Sequence, residues 1–378
     1  MTFILSEDQT MLRDTALAFA RDTLPVSHLR AQRDAGEAAL TSQAQTQMAD
    51  LGFLGVLIPE NYGGSDFGLV GMGQIMEAMG RNLAATPLVQ SGVIGAGLVA
   101  LLGTEKQKTT YLPKIAEGTC LTALGLDEGA HHAPLAITAK AQQTEEGFVL
   151  NGAKKFVPDG HIADIFIILA RTDGEASSSE GLSLFLVPKD IDGLEVTPLN
   201  TLDSHGAAHI QFDTLKIGPE HVLGPVGSIY PELETILDRA RASLASEMLG
   251  AATAAFEMTL DYLKTRRQFG QLIGGFQALQ HRAAVLFTEL ELTRSCVSAA
   301  LRAVEIESQD KAKLVSLAKA RAGETLHLVS NETVQMHGGI GMTDDHDSGF
   351  YLKRARVLEA LYGGEGFHRD RYARLCGF

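Results

Sequence analysis

The residue pattern predicts a mostly α-helical chain with a β domain at its centre. Three observations carry that expectation. Apolar residues recur at helical spacing from Leu5 to about Ala116. From about Cys120 to Gly224 the period changes to short strand-like runs. From Pro231 to Phe378 helical spacing returns, and the run Leu237–Phe269 has no proline and only one internal glycine, Gly250. The chain has 378 residues, which at about 150 residues per domain allows two or three domains. The pattern sets them at 1–118 (helical), 119–226 (β) and 227–378 (helical).

Taken in order, the first helix starts at Ser6, which with Gln9 three residues on forms a capping box. Met11, Leu12, Thr15, Ala16 and Phe19 follow at helical spacing. Leu51–Gly64 (LGFLGVLIPENYGG) is a break rich in glycine and turn residues, after which helical periodicity resumes through Met79 and again through Leu102. Leu88–Leu102 is the longest mostly apolar stretch, but Gln90, Ser91 and three glycines interrupt it. It falls short of the ~20 residues that a membrane span needs. Met1–Asp8 is too short and acidic to read as a signal peptide. A cytoplasmic protein without a membrane span is the expectation.

In the middle region, Phe148–Val157 reads as two apolar runs joined by Asn151-Gly152, the strongest short hairpin signal. Ile165–Ala170 and Leu182–Val187 are further strands, with Ser177–Ser179 in a polar connection between them. Strands without intervening helices imply an antiparallel sheet or barrel. In the last region Leu237, Arg241, Leu244, Met248, Ala251, Ala255, Met258 and Tyr262 share one helix face. Two more long helices cover Phe276–Glu307 and Lys311–Met336. No internal repeat or extended low-complexity segment interrupts this layout.

Net charge is 32 − 46 = −14, which argues against a nucleic-acid partner. It leaves room for an anionic small molecule in a locally basic pocket. Cys120, Cys296 and Cys376 are far apart, so neither a disulfide scaffold nor a zinc site is expected. His131-His132 has no further ligands nearby to complete a metal site. No G-x-G-x-x-G follows a strand and no G-x-S-x-G occurs; Gly147–Gly152 has P-loop glycine spacing, but Ala153 stands where the lysine belongs.

Two segments carry a positive signal. Tyr262–Gln280 (YLKTRRQFGQLIGGFQALQ) and Gln335–Thr343 (QMHGGIGMT) each join a basic or amide-bearing helix end to a glycine turn. Freed backbone N–H groups beside a guanidinium can hold a pyrophosphate. Singly, Arg266-Arg267 also reads as a solvated helix face and Gly338-Gly339 as a helix stop.

Six collinear motifs resolve that choice: PENYGG (Pro59–Gly64), GTEKQKTTYLPKIAEGT (Gly103–Thr119), FVLNGAKKFV (Phe148–Val157), TRRQFG (Thr265–Gly270), FQALQH (Phe276–His281) and QMHGGIG from Gln335. In these the chain resembles the acyl-CoA dehydrogenase family along essentially its whole length. The resemblance implies an N-terminal helical domain, a middle antiparallel β-barrel and a C-terminal four-helix bundle that builds a tetramer. It implies FAD held between subunits and α,β-desaturation of an acyl-CoA thioester: a base takes the α-proton and a hydride passes from the β-carbon to flavin N5. Arg266 and Phe269 match the R-x-x-F pair that reaches a neighbour's cofactor. Gln335, Gly338 and Gly339 match the Q-x-x-G-G segment at the diphosphate and adenosine. Asp238 and Arg241 match an Asp-x-x-Arg pair near the acyl-CoA cavity, and Leu126, Phe156 and Pro158 take flavin-side positions. An electron-transferring flavoprotein is the implied acceptor.

The chain departs from the family at the base. The Tyr-Glu-Gly-Thr segment is replaced by Tyr362-Gly363-Gly364-Glu365, so the base position is Gly363, and the alternative position on the long helix is Ala240. Of the flavin-side segments, T-E-P becomes Leu126-Asp127-Glu128, the serine after it becomes His132, and the threonine of W-I-T becomes Pro158, which donates nothing. Glu365, in the same turn as Gly363, and Glu247, about two helical turns and ~10 Å beyond Ala240, are the candidate relocated bases. Their alternative readings are an exposed turn residue or partner of Arg369 for Glu365, and a helix-face partner of an arginine for Glu247. Two functions follow: an FAD-dependent acyl-CoA dehydrogenase with a non-standard base, acting as a homotetramer, or a non-catalytic subunit of an α2β2 assembly that lends the trans half of the FAD site to a catalytic paralogue. A flavin oxidase or monooxygenase on the same fold is more distant.

Overall fold

The computed structural model describes residues 4–378. In chain order its helices are α1 (Glu7–Thr23), α2 (Val26–Ala35), α3 (Ser42–Asp50), α4 (Leu69–Arg81), α5 (Ala96–Leu102), α6 (Glu105–Ala116), α7 (Tyr230–Thr265), α8 (Gln277–Glu305), α9 (Lys311–His337), α10 (Ser348–Ala360) and α11 (Glu365–Leu375). The capping box at α1 forms in both directions between Ser6 and Gln9. The chain divides into two compact units: Met1–Glu37, Leu69–Ala85 and Arg241–Phe378 make one, and Ala38–Gly68 with Thr86–Ala240 makes the other.

The second unit holds the sheet: β1 (Thr122–Gly125), β2 (Lys140–Thr144), β3 (Gly147–Pro158), β4 (Ile165–Arg171), β5 (Leu182–Pro188), β6 (Leu194–Leu199), β7 (Ala207–Ile217) and β8 (Val222–Leu223). Its hydrogen-bonded path runs β6-β7-β3-β2-β4-β5-β8, with β1 beside β4. The expected antiparallel barrel is corrected on two counts. The path does not close, and β1 and β4 run parallel. The free edge of β1 faces a π-helix, Leu88–Gly95, instead of another strand. Gln90 Oε1 accepts the Leu124 N–H (2.9 Å) and Ser91 Oγ the Thr122 N–H (2.9 Å). The two polar residues that break the longest apolar stretch thus satisfy a sheet edge, as buried backbone donors require.

The hairpin expected at Asn151-Gly152 is also corrected. Both residues lie inside β3, at a register shift against β7. The turn is Glu145-Glu146, between paired Thr144 and Gly147. Glycine is needed at 152 for close approach: its φ is +150°, and a Cβ there would stand 2.6 Å from that of Ala139. The asparagine serves the bulge, its Oδ1 accepting the Thr214 N–H (2.8 Å).

In the first unit α9 packs against α8, α10 and α11. Helices α4 and α7 meet backbone to backbone through reciprocal glycines. A Cβ on Gly80 would stand 2.0 Å from Glu247 O, and one on Gly250 2.0 Å from Glu77 O. Helix α7 stops at Thr265, and a two-stranded ribbon follows, β9 (Arg267–Gln268) and β10 (Gln271–Leu272). Its tip is Phe269-Gly270, with φ +52° and +80°, the paired positive angles of a type I′ turn. Among the described residues no helix is long and apolar enough to cross a membrane.

Candidate functional site

In the helical unit the turn between α10 and α11 is held from three sides. Tyr362 and Gly363 both have positive φ, +53° and +110°. Arg241 on α7, fully buried, donates from Nε to Tyr362 O (3.1 Å). His368 on α11 donates from Nε2 to the same carbonyl (3.2 Å). Lys319 on α9 points its ammonium at Leu358 O (3.0 Å), Gly363 O (3.2 Å) and Glu359 O (3.4 Å). The Phe367 ring closes the remaining side, with the Arg241 guanidinium 5.5 Å from its centroid. A Cβ at position 363 would stand 2.4 Å from Phe367 Cδ1 and 2.9 Å from His368 Nε2. A side chain at 363 would have to displace the Phe367 ring and the His368 imidazole.

The carboxylates nearby are engaged. Glu247 is buried and accepts from Arg354 at 2.6 Å (Nη2) and 3.0 Å (Nε). Glu365 opens α11, where a negative charge suits the helix N-terminus, and pairs with Arg369 at 2.6 Å on a largely exposed surface. Asp238 and Ala240 belong to the other unit, where both are buried. Sequence reading found neither Lys319 nor Phe367 nor His368. A lysine among apolar residues in mid-helix was the one available signal.

Burial, with the Arg241 charge adding to it, pushes the Lys319 ammonium down to about 7. In the unfolded chain a lysine keeps its proton up to about pH 10.4, so between those limits the unfolded state binds more protons. Folding stability should then rise with pH across that window. Denaturant unfolding at pH 7 and pH 9 should show a larger gain in the wild type than in Lys319→Met. Lys154, pushed down to about 8 by burial, contributes equally to both proteins and cancels. An identical pH dependence in the two would mean that Lys319 stays charged.

A second group lies at the exposed ends of α7 and α9. Arg266, Gln335, Gly338 and Gly339 are all exposed, and Phe269 is 89% exposed at its ribbon tip. A Cβ on either glycine would meet nothing within 4 Å, so their backbone faces open space. The two helix ends meet through tilted rings, Tyr262 against His337 (4.5 Å), and His337 in turn packs against His346 in the segment after α9 (4.3 Å).

The third group is in the sheet unit. Leu126 is buried and its carbonyl accepts from Lys154 Nζ (3.1 Å). Lys154 also pairs with Glu128 at 2.7 Å. Burial raises the Glu128 carboxyl, but the Lys154 charge and hydrogen bonds from Lys154 and Thr138 outweigh it and hold the carboxyl below its ordinary range. His132 Nδ1 lies 3.0 Å from Asp127 Oδ2. On β3, Phe156 is 40% exposed with φ +48°, and Pro158 is half-buried. The sheet unit also has a cleft of about 530 Å³ beside β2 and the end of β4. Its Arg171 guanidinium is spent on five backbone carbonyls, those of Leu135, Ile137, Asp173, Ser178 and Glu180.

Comparison with known proteins matches this geometry to one family. The acyl-CoA dehydrogenase N-terminal domain matches residues 6–119, the middle domain 123–215 and the C-terminal domain 232–376. A probable acyl-CoA dehydrogenase, YngJ, of Bacillus subtilis (strain 168) is 30% identical over 382 residues, spanning 99% of each chain. Among solved structures, one titled as the electron transferring flavoprotein of Acidaminococcus fermentans superposes with a TM-score of 0.91 at 28% identity, covering 100% of this chain and 99% of that one. The ChsE4-ChsE5 complex from Mycobacterium tuberculosis superposes with a TM-score of 0.90 at 26% identity, again over 100% and 99%. With three domain models matched in order and a relative aligned nearly end to end, the chain belongs to the acyl-CoA dehydrogenase family of flavoprotein oxidoreductases.

Proposed function

We propose that this chain is a subunit of a heteromeric acyl-CoA dehydrogenase, without a base of its own, that completes the FAD site of a catalytic paralogue. One observation carries this reading: position 363 is sterically closed by Phe367 and His368. The two substitute carboxylates are also engaged, Glu247 with Arg354 and Glu365 with Arg369. The ChsE4-ChsE5 similarity supports a mixed assembly. A second reading, a self-sufficient enzyme with Glu365 as base, draws on the exposure of that side chain, which is free to leave Arg369.

The residues present suit FAD at its diphosphate end. A guanidinium at Arg266, an amide at Gln335 and unhindered backbone at Gly339 are donors that an anionic diphosphate needs, while the Gly338 N–H is held by Gln335 O and Gly338 serves by leaving space. Phe269, held out from its chain at a strained tip, suits insertion into a neighbouring subunit. When bound, FAD supplies the hydride-accepting chemistry; this chain orients it and excludes water. We place Asp238 and Arg241 at the acyl-CoA side, domain limits at 118 and 226, and a closed α2β2 tetramer over a homotetramer. An electron-transferring flavoprotein is the proposed acceptor, supported by the Acidaminococcus fermentans similarity.

The test is to purify the chain alone and with a family paralogue bearing an intact Tyr-Glu-Gly-Thr segment. FAD content and turnover of a CoA-ester panel are then measured with an artificial electron acceptor. The chain alone should be inert and the mixture active; turnover by the chain alone overturns the reading. Arg266→Ala in the mixture should weaken FAD roughly ten- to hundredfold, since a charged hydrogen bond contributes about 1.5–3 kcal/mol. Unchanged FAD content in that variant would remove Arg266 from the site.

A further inference from the structure

Strand β3 carries a second bulge near its end. Lys154 pairs with Ile210 and Val157 with Ala208, so Lys155 and Phe156 together stand opposite His209. A bulge of this kind re-aims a side chain. The two N–H groups that it frees leave the ladder: Lys155 donates to Asp127 O (2.8 Å), and Phe156 donates to Nδ1 of the His209 ring (3.1 Å). Phe156 is held at φ +48°, a region that an aromatic L-residue rarely enters. The residue is 40% exposed, so its own packing does not explain the strain. Strained backbone of this sort persists where the surroundings over-determine it, and it clusters at active sites and ligand clamps.

We propose that His209 is a positioning residue. By accepting the Phe156 N–H it keeps the bulge in one shape and presents the Phe156 ring as a flat apolar face for the isoalloxazine of FAD. The sheet unit of this chain then keeps a ring-binding half-site of its own, although Leu126 and Pro158 offer the flavin no side-chain donor. The inference rests on the reading that Phe156 lies against the cofactor, and it goes beyond the trans role of Arg266 and Gln335.

The experiment is a double-mutant cycle on the full-length protein, in the assembly that retains FAD. FAD affinity is followed by flavin fluorescence, and the environment of the ring by the visible flavin spectrum. His209→Ala should weaken FAD about five- to tenfold, the worth of one hydrogen bond, and shift the spectrum toward that of Phe156→Ala. His209→Asn, whose carboxamide oxygen can accept the same N–H, should stay within about twofold of wild type by the same measure. In the Phe156→Ala background the His209→Ala change should have no further effect, because a residue that acts through another couples fully to it. Additive losses, or His209→Ala binding like wild type, overturn the role of His209. Phe156→Ala binding like wild type overturns the underlying reading of the ring contact, and the proposal with it.

Discussion

Replacing Glu247 by alanine is expected to lower folding stability by about 3–5 kcal/mol, the usual cost of stranding one member of a buried ion pair. Glu247 and Arg354 are both buried, and the guanidinium makes two bonds to one carboxylate oxygen. Without Glu247, the buried Arg354 guanidinium loses both of its bonds to that carboxylate. Arg354→Ala should lose a similar amount, whereas Glu247→Leu with Arg354→Met should recover most of it, because well-packed apolar replacements relieve the desolvation cost. Denaturant unfolding of the four proteins measures this. The same data bear on chemistry. A carboxylate that anchors α7 to α10 is not free to reach a substrate proton, so lost turnover in a Glu247 variant that is also destabilised says nothing about a base. A loss below about 1 kcal/mol, the range of an exposed pair, would make Glu247 available again as a base.

Much of the architecture was legible from residue pattern. The helix–sheet–helix order follows from where the apolar period changes, and α8 and α9 begin and end within two residues of the expected limits, because their faces are long and uninterrupted. The failures share a cause. Asn151-Gly152 carries a strong local turn signal, yet the glycine answers a tertiary demand, the approach of Ala139. The real turn, Glu145-Glu146, has no turn-favouring residue at its two central positions; its one cue is Gly147 just after them, at φ +139°. The site divides the same way. Arg266, Phe269 and Gln335, the proposed FAD contacts, sit in contiguous motifs. The partner of Glu247 lies 107 residues away, and Lys319 acquires its role only because α9 runs beside the turn that follows α10. Contacts closed across such distances leave no pattern in a single sequence.

Placing a glutamate at 363, where the sequence resemblance puts the base, is expected to damage the protein without giving it activity. Gly363→Glu must adopt φ +110°, a conformation that costs a non-glycine residue about 1–3 kcal/mol. It also drives a Cβ to 2.4 Å from Phe367 Cδ1, where overpacking adds about 1–3 kcal/mol. A total loss of about 2–6 kcal/mol follows from those two terms. Gly363→Ala isolates the Cβ and should account for most of it. Phe367→Ala should recover part of the loss in Gly363→Glu by opening space, less the cation–π contact with Arg241, itself about 2 kcal/mol when desolvated. Turnover on the CoA-ester panel separates the two functional readings. For a subunit without a base, Gly363→Glu alone stays inert, because a carboxylate forced past Phe367 and His368 is not in the place that the family's turn gives it. Glu365→Gln then changes nothing but an exposed pair. Were Gly363→Glu to fold as stably as wild type and turn over substrate alone, the turn would be plastic. The missing base would then be a single substitution away, not a closure built by Arg241, Lys319, Phe367 and His368 together.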